Sequence, residues 1–401
     1  MKLGDICEIK HGFAFKGEYF CDTATDYLLL TPGNFAIGGG FQEKTKYYNG
    51  PIPERYVLKK DDLIVTMTDL SKQGDTLGYS ALVPCDNRYL HNQRIGLITV
   101  TSPHALKDYV YWLMRTRNYQ KYIVNHASGS TVKHTAPKAI LGYEFDLPTL
   151  AEQRKAADIL SAFDSRIAEN KKINHHLEQM AQAIFKSWFV DFEPWSGVMP
   201  DSWHEGTISD LGDIVGGGTP SKAKAEYYTE HGVAWITPKD LSINKSKFIA
   251  RGADDITEIG LRNSSAKLMP RGTVLFSSRA PIGYIAIASG EVCTNQGFKS
   301  IMPKENVGTA FVYHFLIENL HAIESMASGS TFKEVSGGTM KGIPAIVPDS
   351  DTLWRFQANC VPLLEKQELL ETENAHLAAI RDSLLPRLMS SEIPVADLAA
   401  K

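Results

Sequence analysis

The stretch Ala127-Ser128-Gly129-Ser130-Thr131-Val132-Lys133 returns 200 residues later as Ala327-Ser328-Gly329-Ser330-Thr331-Phe332-Lys333. Six of the seven residues are identical. The same separation relates Leu147-Pro148 to Val347-Pro348, and it persists into the helical segments that follow. Because the register is kept across two kinds of local structure, the sequence predicts a duplicated chain.

Other parts of the chain repeat at slightly different separations. Leu3-Gly4-Asp5-Ile6 matches Leu211-Gly212-Asp213-Ile214 at a separation of 208, and Asn92-Gln93 matches Asn295-Gln296 at a separation of 203. The two copies are therefore expected to share their elements and to differ in the lengths of their loops. The repeated Ser-Gly-Ser of the first match is interpreted as a shared turn.

Each copy begins with a mixed region and ends with a helical one. Short β-branched runs that end at Gly, Pro or Asp indicate strands, and apolar periodicity near residues 109–124 and 310–326 indicates helices. The predicted fold class is α+β, with two similar globular domains separated by two long helices. The predicted segments are domain one at residues 1–149, a central helix at 150–192, a linker at 193–206, domain two at 207–348, a C-terminal helix at 349–390 and a tail at 391–401.

The two helical segments carry narrow apolar stripes. Apolar positions step by threes and fours in the first segment, and leucines recur every seven residues in the second. Such a stripe is typical of a two-helix coiled coil, so we predict that the helices pair antiparallel, with a pseudo-twofold internal repeat, and hold the domains at opposite ends. The alternative is that each helix packs on its own globular domain. The predicted seam residues are Ile159, Phe163, Ile167, Ile173, Leu177, Ile184, Trp188, Leu363, Leu370, Leu377 and Leu384.

The composition is that of an ordinary globular protein. The 401 residues include 42 Lys and Arg against 46 Asp and Glu, for a net charge of -4, and 43% are apolar. No apolar run approaches the roughly 18 residues of a membrane span, and Asp5 stands where a signal peptide has its apolar core. We therefore expect a cytoplasmic protein. Five scattered cysteines without a Cys-x-x-Cys spacing predict buried free thiols rather than disulfides or a zinc site.

The motifs of common active sites are missing from the sequence. It has no Gly-Lys of a phosphate-binding loop, no Pro-Pro of an adenine methyltransferase motif, no Gly-x-Ser-x-Gly and no His-Glu-x-x-His. His175-His176 lies in a predicted helix, where neighbouring side chains diverge by about 100°. The glycine runs Gly38-Gly39-Gly40 and Gly216-Gly217-Gly218 are predicted to be flexible turns. We therefore expect no catalytic residue and no metal ligand in this chain.

Three stretches carry a family resemblance. They are Arg271-Gly272-Thr273-Val274-Leu275-Phe276-Ser277-Ser278-Arg279 with its continuation to Asn295-Gln296, then Leu147-Pro148-Thr149-Leu150-Ala151-Glu152-Gln153, and finally Ala181-Gln182-Ala183-Ile184-Phe185-Lys186-Ser187-Trp188-Phe189-Val190-Asp191-Phe192-Glu193-Pro194. Together they resemble the specificity subunits of type I restriction–modification systems over essentially the whole chain. The second copy departs from the pattern, because residues 351–355, Asp-Thr-Leu-Trp-Arg, replace the Glu-Gln junction where the second helix starts.

The resemblance implies DNA recognition without catalysis by this chain. Each globular domain would be a target recognition domain that reads one half of a bipartite, asymmetric site in double-stranded DNA. The helices would dock two methyltransferase (modification) subunits and set the spacer between the half-sites. S-adenosylmethionine would bind the methyltransferase subunit, and ATP and Mg would bind a motor-nuclease restriction subunit that joins through the modification subunits. This chain would bind no cofactor and no membrane.

Polar side chains in the divergent loops are the candidates for DNA contact, because Arg, Lys, Asn, Gln and hydroxyl groups bind base edges and phosphates. In the first domain they are Lys44, Lys46, Lys72, Gln73, Arg88, His91, Asn92, Gln93, Arg94, Lys133 and His134. In the second domain they are Lys239, Lys245, Lys247, Ser277, Ser278, Arg279, Asn295, Gln296, Lys299 and Lys333. The Asn-Gln pairs and the lysines after Ser-Gly-Ser-Thr occur in both copies, which favours a structural turn or a phosphate contact over base reading.

Two other functions compete with DNA recognition. One is a coiled-coil scaffold that binds other proteins and whose globular domains do not touch DNA. The other is an enzyme with a composite active site between the two copies. A neighbouring gene for an adenine methyltransferase would favour DNA recognition over both.

Overall fold

The structure is a computed structural model that describes residues 1–71, 73–329, 333–390 and 392–393. It divides into two compact units. One consists of Met1–Ile167 together with the chain from His376 onward, and the other consists of Ala168–Ala375. Both divisions of the chain fall inside a long helix, so each long helix contributes one part to each unit.

The first half of the chain contains two four-stranded sheets. One sheet has the order β1-β9-β5-β7 and is antiparallel, and the other has the order β2-β4-β3-β8 with β3 and β8 parallel. A further pair joins β6 to β10. The strands are β1 Cys7–His11, β2 Phe20–Cys21, β3 Leu28–Leu29, β4 Tyr47–Tyr48, β5 Leu63–Thr66, β6 Thr68–Asp69, β7 Ser80–Leu82, β8 Tyr89–Leu90, β9 Ile95–Val100 and β10 Lys133–His134. The helices are α1 Lys107–Leu113, α2 Arg117–Asn125, α3 Pro137–Leu141 and α4 Leu150–Phe189.

The second half contains sheets with a corresponding strand order. A five-stranded sheet runs β12-β20-β17-β18-β15, a four-stranded sheet runs β13-β16-β14-β19, and β11 pairs with β21. The strands are β11 His204–Thr207, β12 Gly212–Gly216, β13 Tyr228–Thr229, β14 Val233–Ile236, β15 Phe248–Ile249, β16 Asp254–Ile256, β17 Val274–Ser278, β18 Ile282–Ala288, β19 Cys293–Thr294, β20 Lys299–Pro303 and β21 Pro344–Val347. The helices are α5 Ile208–Leu211, α6 Pro238–Ile243, α7 Glu258–Arg262, α8 Thr309–Glu318, α9 Leu320–Ser325, α10 Gly337–Lys341 and α11 Ser350–Met389.

The cores form around the central strands and one buried helix in each half. All four residues of β5 and all five of β17 are buried, as expected of short β-branched and apolar runs in the middle of a sheet. Helix α1 buries Trp112 completely, and α8 is buried from Ala310 to Leu316 because it is apolar on every side. Sheet and helix therefore share one core in each half, which is a mixed α and β architecture.

Helix α4 begins at a capped turn that also holds the first globular domain. The Thr149 backbone N–H and hydroxyl donate to the carboxylate of Glu152, at 2.9 and 2.7 Å. The fully buried Gln153 donates to the carbonyls of His104 and Pro148 and accepts from the backbone N–H of Leu106. The Glu-Gln junction is thus a helix cap followed by a link to the loop before α1.

Helix α11 begins at Ser350, and its first turn is capped by a different set of contacts. The Asp349 carboxylate accepts from the Thr352 backbone N–H at 2.8 Å, and it also accepts from the Ser202 hydroxyl and the Trp203 ring N–H. Leu353 is buried where the first copy has Gln153, while Trp354 is exposed. At the start of the second helix, an aspartate cap and an apolar contact therefore take the place of the Glu-Gln junction of the first.

The predicted seam is less apolar and less buried than the sequence pattern suggested. Leu370 is buried, but the other ten predicted positions are only partly buried. The deepest helix positions pack into the globular cores, and the middle of the helix pair is polar, with Asn170 and Gln367 buried. The buried apolar positions that the pattern missed are Ala156, Ala157, Leu160, Ala181, Phe185, Phe189, Leu353, Phe356, Cys360, Leu364, Leu385, Leu388 and Met389.

The expectation of buried free thiols is correct for three cysteines and wrong for two. All five cysteines are free, and Cys7, Cys293 and Cys360 are buried. Cys21 and Cys85 are partly exposed, because they lie at the end of a two-residue strand and in a surface turn. Across the described residues, no helix is both long enough and apolar enough to span a membrane.

Candidate nucleic-acid interface

Three loops of the second domain meet at the ends of neighbouring strands. The loops follow β14, β17 and β19, and they are joined by main-chain bonds: Asn295 N–H donates to the Ile236 carbonyl at 3.0 Å, and Ser278 N–H donates to the Gly297 carbonyl at 2.8 Å. The loops line an open cleft of about 230 Å³. The lining residues are Thr237, Pro238, Lys239, Arg279, Ala280, Asn295, Gln296 and Gly297.

A glycine supports this loop cluster in each domain. A Cβ atom at Gly217 would lie 2.0 Å from the carbonyl oxygen of Asn295, and one at Gly12 would lie 2.2 Å from the carbonyl oxygen of Asn92. Neither distance is possible, so only glycine lets the strand approach the Asn-Gln turn. The prediction of a flexible turn at Gly216–Gly218 is therefore wrong, because Gly216 ends β12 and the next two glycines are close contacts.

The Asn295-Gln296 pair takes part in its turn through side chains, and Asn92 takes part in the first domain's turn through its main chain. The side-chain oxygen of Asn295 accepts from the Gly297 backbone N–H at 2.8 Å, and the carbonyl of Asn92 accepts from the Ile95 backbone N–H at 3.0 Å. The exposed Gln296 accepts a hydrogen bond from the Thr219 hydroxyl. These contacts agree with a turn that both domains need, and they leave the side chain of Gln93 exposed.

The residues at the two ends of the repeated stretch pair in the same way in both domains. Ser128 and His134 exchange two main-chain hydrogen bonds, of 2.9 and 2.8 Å, and Ser328 and Glu334 do the same at 3.1 and 2.9 Å. Gly129 has φ +92°, a left-handed conformation that favours glycine. The main-chain pairing at the ends of the stretch is thus the same in both copies, while residues 330–332, where the second copy of the turn is predicted, lie outside the described residues.

Most of the predicted DNA-contacting side chains lie at the surface. Ten are exposed: Lys44, Gln73, Arg88, Gln93, Arg94, His134, Lys239, Lys245, Gln296 and Lys333. Six are partly buried: Lys46, Asn92, Lys133, Arg279, Asn295 and Lys299. Lys72 lies outside the described residues. These positions remain predictions for DNA contact.

Three predicted residues are buried by contacts within the domains, and we correct their assignment. His91 is 2% exposed, and its Nε2 lies 2.9 Å from the Ile95 carbonyl oxygen. Burial lowers its pKa, so its imidazole stays neutral near pH 7. Ser277 donates to the Pro281 carbonyl and accepts from the Tyr284 backbone N–H. Ser278 donates to the Gly297 carbonyl at 3.1 Å.

Lys247 is the fourth predicted residue that does not face outward. Its side chain is 8% exposed and forms an ion pair with Glu178 of α4. Its backbone N–H donates to Glu371 of α11 at 3.1 Å. Because the Lys247 ammonium is buried and paired with a carboxylate inside the protein, it is not available to a phosphate, and Lys247 is removed from the candidate surface.

An acidic residue that the sequence reasoning missed lies next to two candidate cations. Glu334 pairs with Arg279 at 3.4 Å and with Lys299 at 3.2 Å. The signal was available, because Glu334 directly follows the repeated lysine and lies opposite His134 in the alignment of the copies. The ion pairs hold Arg279 at the mouth of the cleft and reduce the positive charge there.

A second missed residue shapes the loop of the first domain that carries Lys72 and Gln73. Burial raises the pKa of the Asp69 carboxyl, but hydrogen bonds from Ser71 and Thr76 outweigh it, so the net pKa lies below its ordinary value. Asp69 accepts from the Ser71 backbone N–H at 2.6 Å and from the Thr76 hydroxyl at 2.7 Å. The buried carboxylate therefore ties both ends of this loop to β6.

The described residues offer no metal site, since no group of His, Cys, Asp and Glu among them could hold an ion. The adjacent His175 and His176 are exposed on α4. The arrangement instead offers short loops with amide, guanidinium and ammonium groups at the surface of each domain. Such groups can donate hydrogen bonds to base edges and phosphates.

Comparisons with known proteins agree on one kind of relative. A family of type I restriction modification DNA specificity domains matches residues 1–179 and 200–375. The chain is 27% identical over 404 residues to the type I restriction enzyme HindI specificity subunit of Haemophilus influenzae, covering 80% of this chain and 87% of that protein. It is 37% identical over 167 residues to the MjaIX specificity subunit of Methanocaldococcus jannaschii, covering 41% of this chain and 38% of that protein.

The fold is also similar to a solved structure. The crystal structure of a type I restriction-modification S subunit from M. genitalium matches with a TM-score of 0.60 over 97% of this chain and 95% of that chain. The sequence identity of that pair is 17%, so the match is a likeness of fold.

Proposed function

Since the chain belongs to the family of type I restriction–modification DNA specificity domains, we propose that it selects the DNA sequence for such a complex by reading two half-sites, one with each globular domain. The observation that carries this proposal is the repeated loop cluster. In each half of the chain a glycine admits an Asn-Gln turn, and in the second half polar side chains line the cleft beside the turn. Two similar clusters with different loops are suited to a bipartite, asymmetric target.

The domain assignment follows from the same reasoning. We assign target recognition domain one to residues 1–149 and domain two to residues 207–348, with the central helix at 150–192, a linker at 193–206, the second helix at 349–390 and a tail at 391–401. The helices α4 and α11 fall within the two helical segments. Each recognition domain thus precedes one long helix.

The two long helices are proposed to pair as an antiparallel coiled coil and to act as the ruler between half-sites. Within the first unit Asp164 binds Arg381, and within the second unit Asn170 binds Asn374. As the residue number rises on α4, that of its partner on α11 falls, which supports an antiparallel pair with pseudo-twofold symmetry. Each helix has forty residues and is about 60 Å long at 1.5 Å per residue.

The helices are also the proposed docking surface for methyltransferase subunits. Several large apolar side chains on the helices are exposed and are available for contact with a partner protein. They are Leu150, Met180, Trp354, Val361, Leu369 and Ile380. We propose that two modification subunits bind here and that restriction subunits join through them. The chain itself is proposed to be non-catalytic in the cytoplasm, with S-adenosylmethionine, ATP and Mg bound by its partners.

Methylome sequencing tests the proposal. Cells that express an adenine methyltransferase subunit of the same operon, with and without this chain, should differ by adenine methylation at one bipartite sequence. Combined replacement of Lys239, Arg279 and Gln296 by Ala should weaken recognition of one half-site, because these side chains line the cleft of the second domain. The matched control is Lys341→Ala, an exposed lysine at the end of α10.

Two results would contradict the proposal. One is an identical methylation pattern with and without the chain, which would favour a protein scaffold. The other is methyl transfer by the purified chain alone, which would favour an enzyme.

A further inference from the structure

Lys247 lies where three helices approach the edge of the second domain's larger sheet. Its ammonium forms an ion pair with Glu178 of α4 and a hydrogen bond of 2.9 Å with the side-chain oxygen of Gln367 of α11. The same ammonium is 4.3 Å from the centre of the Tyr313 ring on α8. One side chain of the globular domain therefore contacts both long helices.

The backbone beside Lys247 makes a second link to α11. The Glu371 carboxylate accepts the N–H groups of Lys247 and Phe248, at 3.1 and 3.2 Å. Phe248 opens β15, the edge strand that pairs in parallel with β18. Both carboxylate oxygens are thus used to hold a strand edge that would otherwise have unpaired donors. The contacts of Lys247 and Phe248 with Glu178, Gln367 and Glu371 are called the second clamp below.

A different set of residues attaches the globular domain to the long helices in the first unit. Arg115, which follows α1, donates to Asp164 of α4 at 2.6 Å and to the Gly38 carbonyl at 2.9 Å. Arg381 of α11 binds the same Asp164 carboxylate. The side chain of Arg115 is 4% exposed. These contacts form the first clamp, in which the Asp164 carboxylate of α4 joins a buried cation of the globular domain to a cation of α11.

The two clamps are not copies of each other. At the separation of 200, Asp164 corresponds to Leu364 and Glu178 corresponds to Ala378, while Arg115 corresponds to Phe315. The duplication therefore did not supply the ion pairs, and each domain reached the same kind of attachment with its own residues. Buried ion pairs are a poor way to gain stability, but they enforce one geometry, because a displaced charge is left without a partner.

We propose that the two clamps are positioning devices that fix each recognition domain on the long helices, so that Lys247 and Arg115 determine the spacing between the half-sites without contacting DNA. This inference rests on the proposed function. One base pair along the duplex is about 3.4 Å, so a small movement of one domain on the helices changes the preferred spacer. A rigid attachment restricts recognition to one spacer length, and a loose attachment admits its neighbours.

The test compares Lys247→Met, Lys247→Arg and the control Lys341→Met in the full chain with its methyltransferase partner. The readout is a methylation assay on DNA libraries in which the half-site bases and the spacer length vary independently. Lys247→Met should lower methylation at the native spacer on the order of tenfold, because part of the gain from binding both half-sites is lost. It should raise the share of sites one base pair longer or shorter and keep the same half-site bases. Lys247→Arg and Lys341→Met should keep the native spacer.

Hydrogen exchange provides a measurement that does not depend on DNA. The backbone amides of Lys247 and Phe248 should exchange faster in Lys247→Met, while those in the middle of β17 stay protected. If Lys247→Met does not fold, Glu178→Gln in its place tests the same contact, since it removes the carboxylate charge and keeps the shape. Arg115→Met should broaden the spacer in the same way through the first clamp.

Several outcomes would overturn the positioning role. An unchanged spacer preference in well-folded Lys247→Met and Glu178→Gln would overturn it. Unchanged hydrogen exchange at the backbone amides of Lys247 and Phe248 would overturn it as well. Loss of one half-site's base preference with the spacer intact would mean that Lys247 reads DNA. If the native chain directs no sequence-selective methylation at all, the proposed function fails, and the clamp is then judged by the exchange data alone.

Discussion

The side-chain amide nitrogen of Asn170 donates a hydrogen bond to the side-chain oxygen of Asn374, with 3.0 Å between the two atoms. Asn170 is fully buried and lies on α4, in the stripe where the sequence pattern is otherwise apolar. A polar pair inside a helix interface costs stability, but it favours the register in which the two partners meet. The pair therefore selects one register of α4 against α11 in the second unit.

Replacing one asparagine of this pair should destabilise the protein more than replacing both. Asn170→Ala leaves the partly buried Asn374 without its partner and should lower the free energy of unfolding by about 1–3 kcal/mol. The double replacement of both asparagines by Leu should recover most of that loss, because two apolar side chains need no hydrogen bond. Denaturant unfolding measures the free energy of unfolding of both variants. The control is Asn359→Ala, an exposed position of α11 that should change stability by less than about 0.5 kcal/mol. Equal losses of stability in Asn170→Ala and in the double Leu variant would contradict the role of the pair.

The close contact at Gly217 provides a test of the recognition loops. Gly217→Ala places a Cβ atom within 2.0 Å of the Asn295 carbonyl and should displace the Asn-Gln turn. We expect weaker recognition of one half-site and destabilisation of about 1–3 kcal/mol from strain in a packed turn. The neighbouring Gly216→Ala is the matched control, because nothing lies within 4 Å of its added Cβ atom. Methylation of half-site variants and thermal unfolding are the readouts, and equal effects of the two substitutions would refute the steric explanation.

His314 should make the stability of the second unit depend on pH. Burial is the main reason why its pKa falls from 6.5 to about 4. The negative charge of Glu178 raises the pKa, and the positive charge of Lys247 lowers it further. Neither ring nitrogen has a hydrogen-bond partner among the described residues. Because the unfolded chain binds the proton near pH 6.5 and the folded chain only near pH 4, stability is lost as the pH falls through this range. The loss reaches about 3 kcal/mol at most.

Denaturant unfolding between pH 7 and pH 4 measures that loss. Replacement of His314 by Phe should remove much of the pH dependence, and replacement of the exposed His321 by Asn should not. An unchanged slope in the Phe variant would show that His314 is not the titrating group.

Longer helices should select a longer spacer. Four residues inserted after Ile167 in α4 and four after Ala375 in α11 leave the Asp164–Arg381 and Asn170–Asn374 contacts intact within their units. Each insertion adds about 6 Å, and with it a rotation of about 40°. The preferred spacer should grow by one or two base pairs, measured on a library of spacer lengths. Four residues inserted after the exposed Gly197 should leave the spacer unchanged, and a constant spacer in the lengthened helices would mean that the helices are not the ruler.

Exchange of one recognition domain should change one half-site. Replacing residues 1–149 by the first domain of another family member should alter the bases read by that domain and leave the other half-site as it was. The repeated loop clusters motivate this expectation, since each is complete within its own half of the chain. Methylome sequencing is the readout, and a change in both half-sites would contradict independent reading.

Much of the fold was predictable because it follows from local patterns. The repeat of residues 127–133 predicted a shared turn, and the runs that became β5 and β17 are buried in the middle of their sheets. Periodicity indicated two long helices, and they extend over Leu150–Phe189 and Ser350–Met389. Local sequence was sufficient here because turns, strands and helices depend mainly on neighbours in the chain.

The candidate site was predicted less well, since residue type alone does not distinguish a surface cation from a buried one. Lys239 follows β14 and Lys247 precedes β15 in the same domain, yet one is exposed and the other is paired inside the protein. His91 and Ser277 also had the chemistry expected of DNA contacts, but they satisfy main-chain groups instead. Only the positions of distant partners distinguish these roles.

By itself the sequence determined that the chain is duplicated, that each copy joins a mixed domain to a long helix, and that the chain resembles a DNA specificity subunit. The tertiary structure decided how the domains are attached to the helices. Glu178 lies 69 residues from Lys247 along the chain, and Gln367 lies 120 residues away. No local pattern connects such residues, because an ion pair of this kind forms only where packing brings partners from distant parts of the chain together.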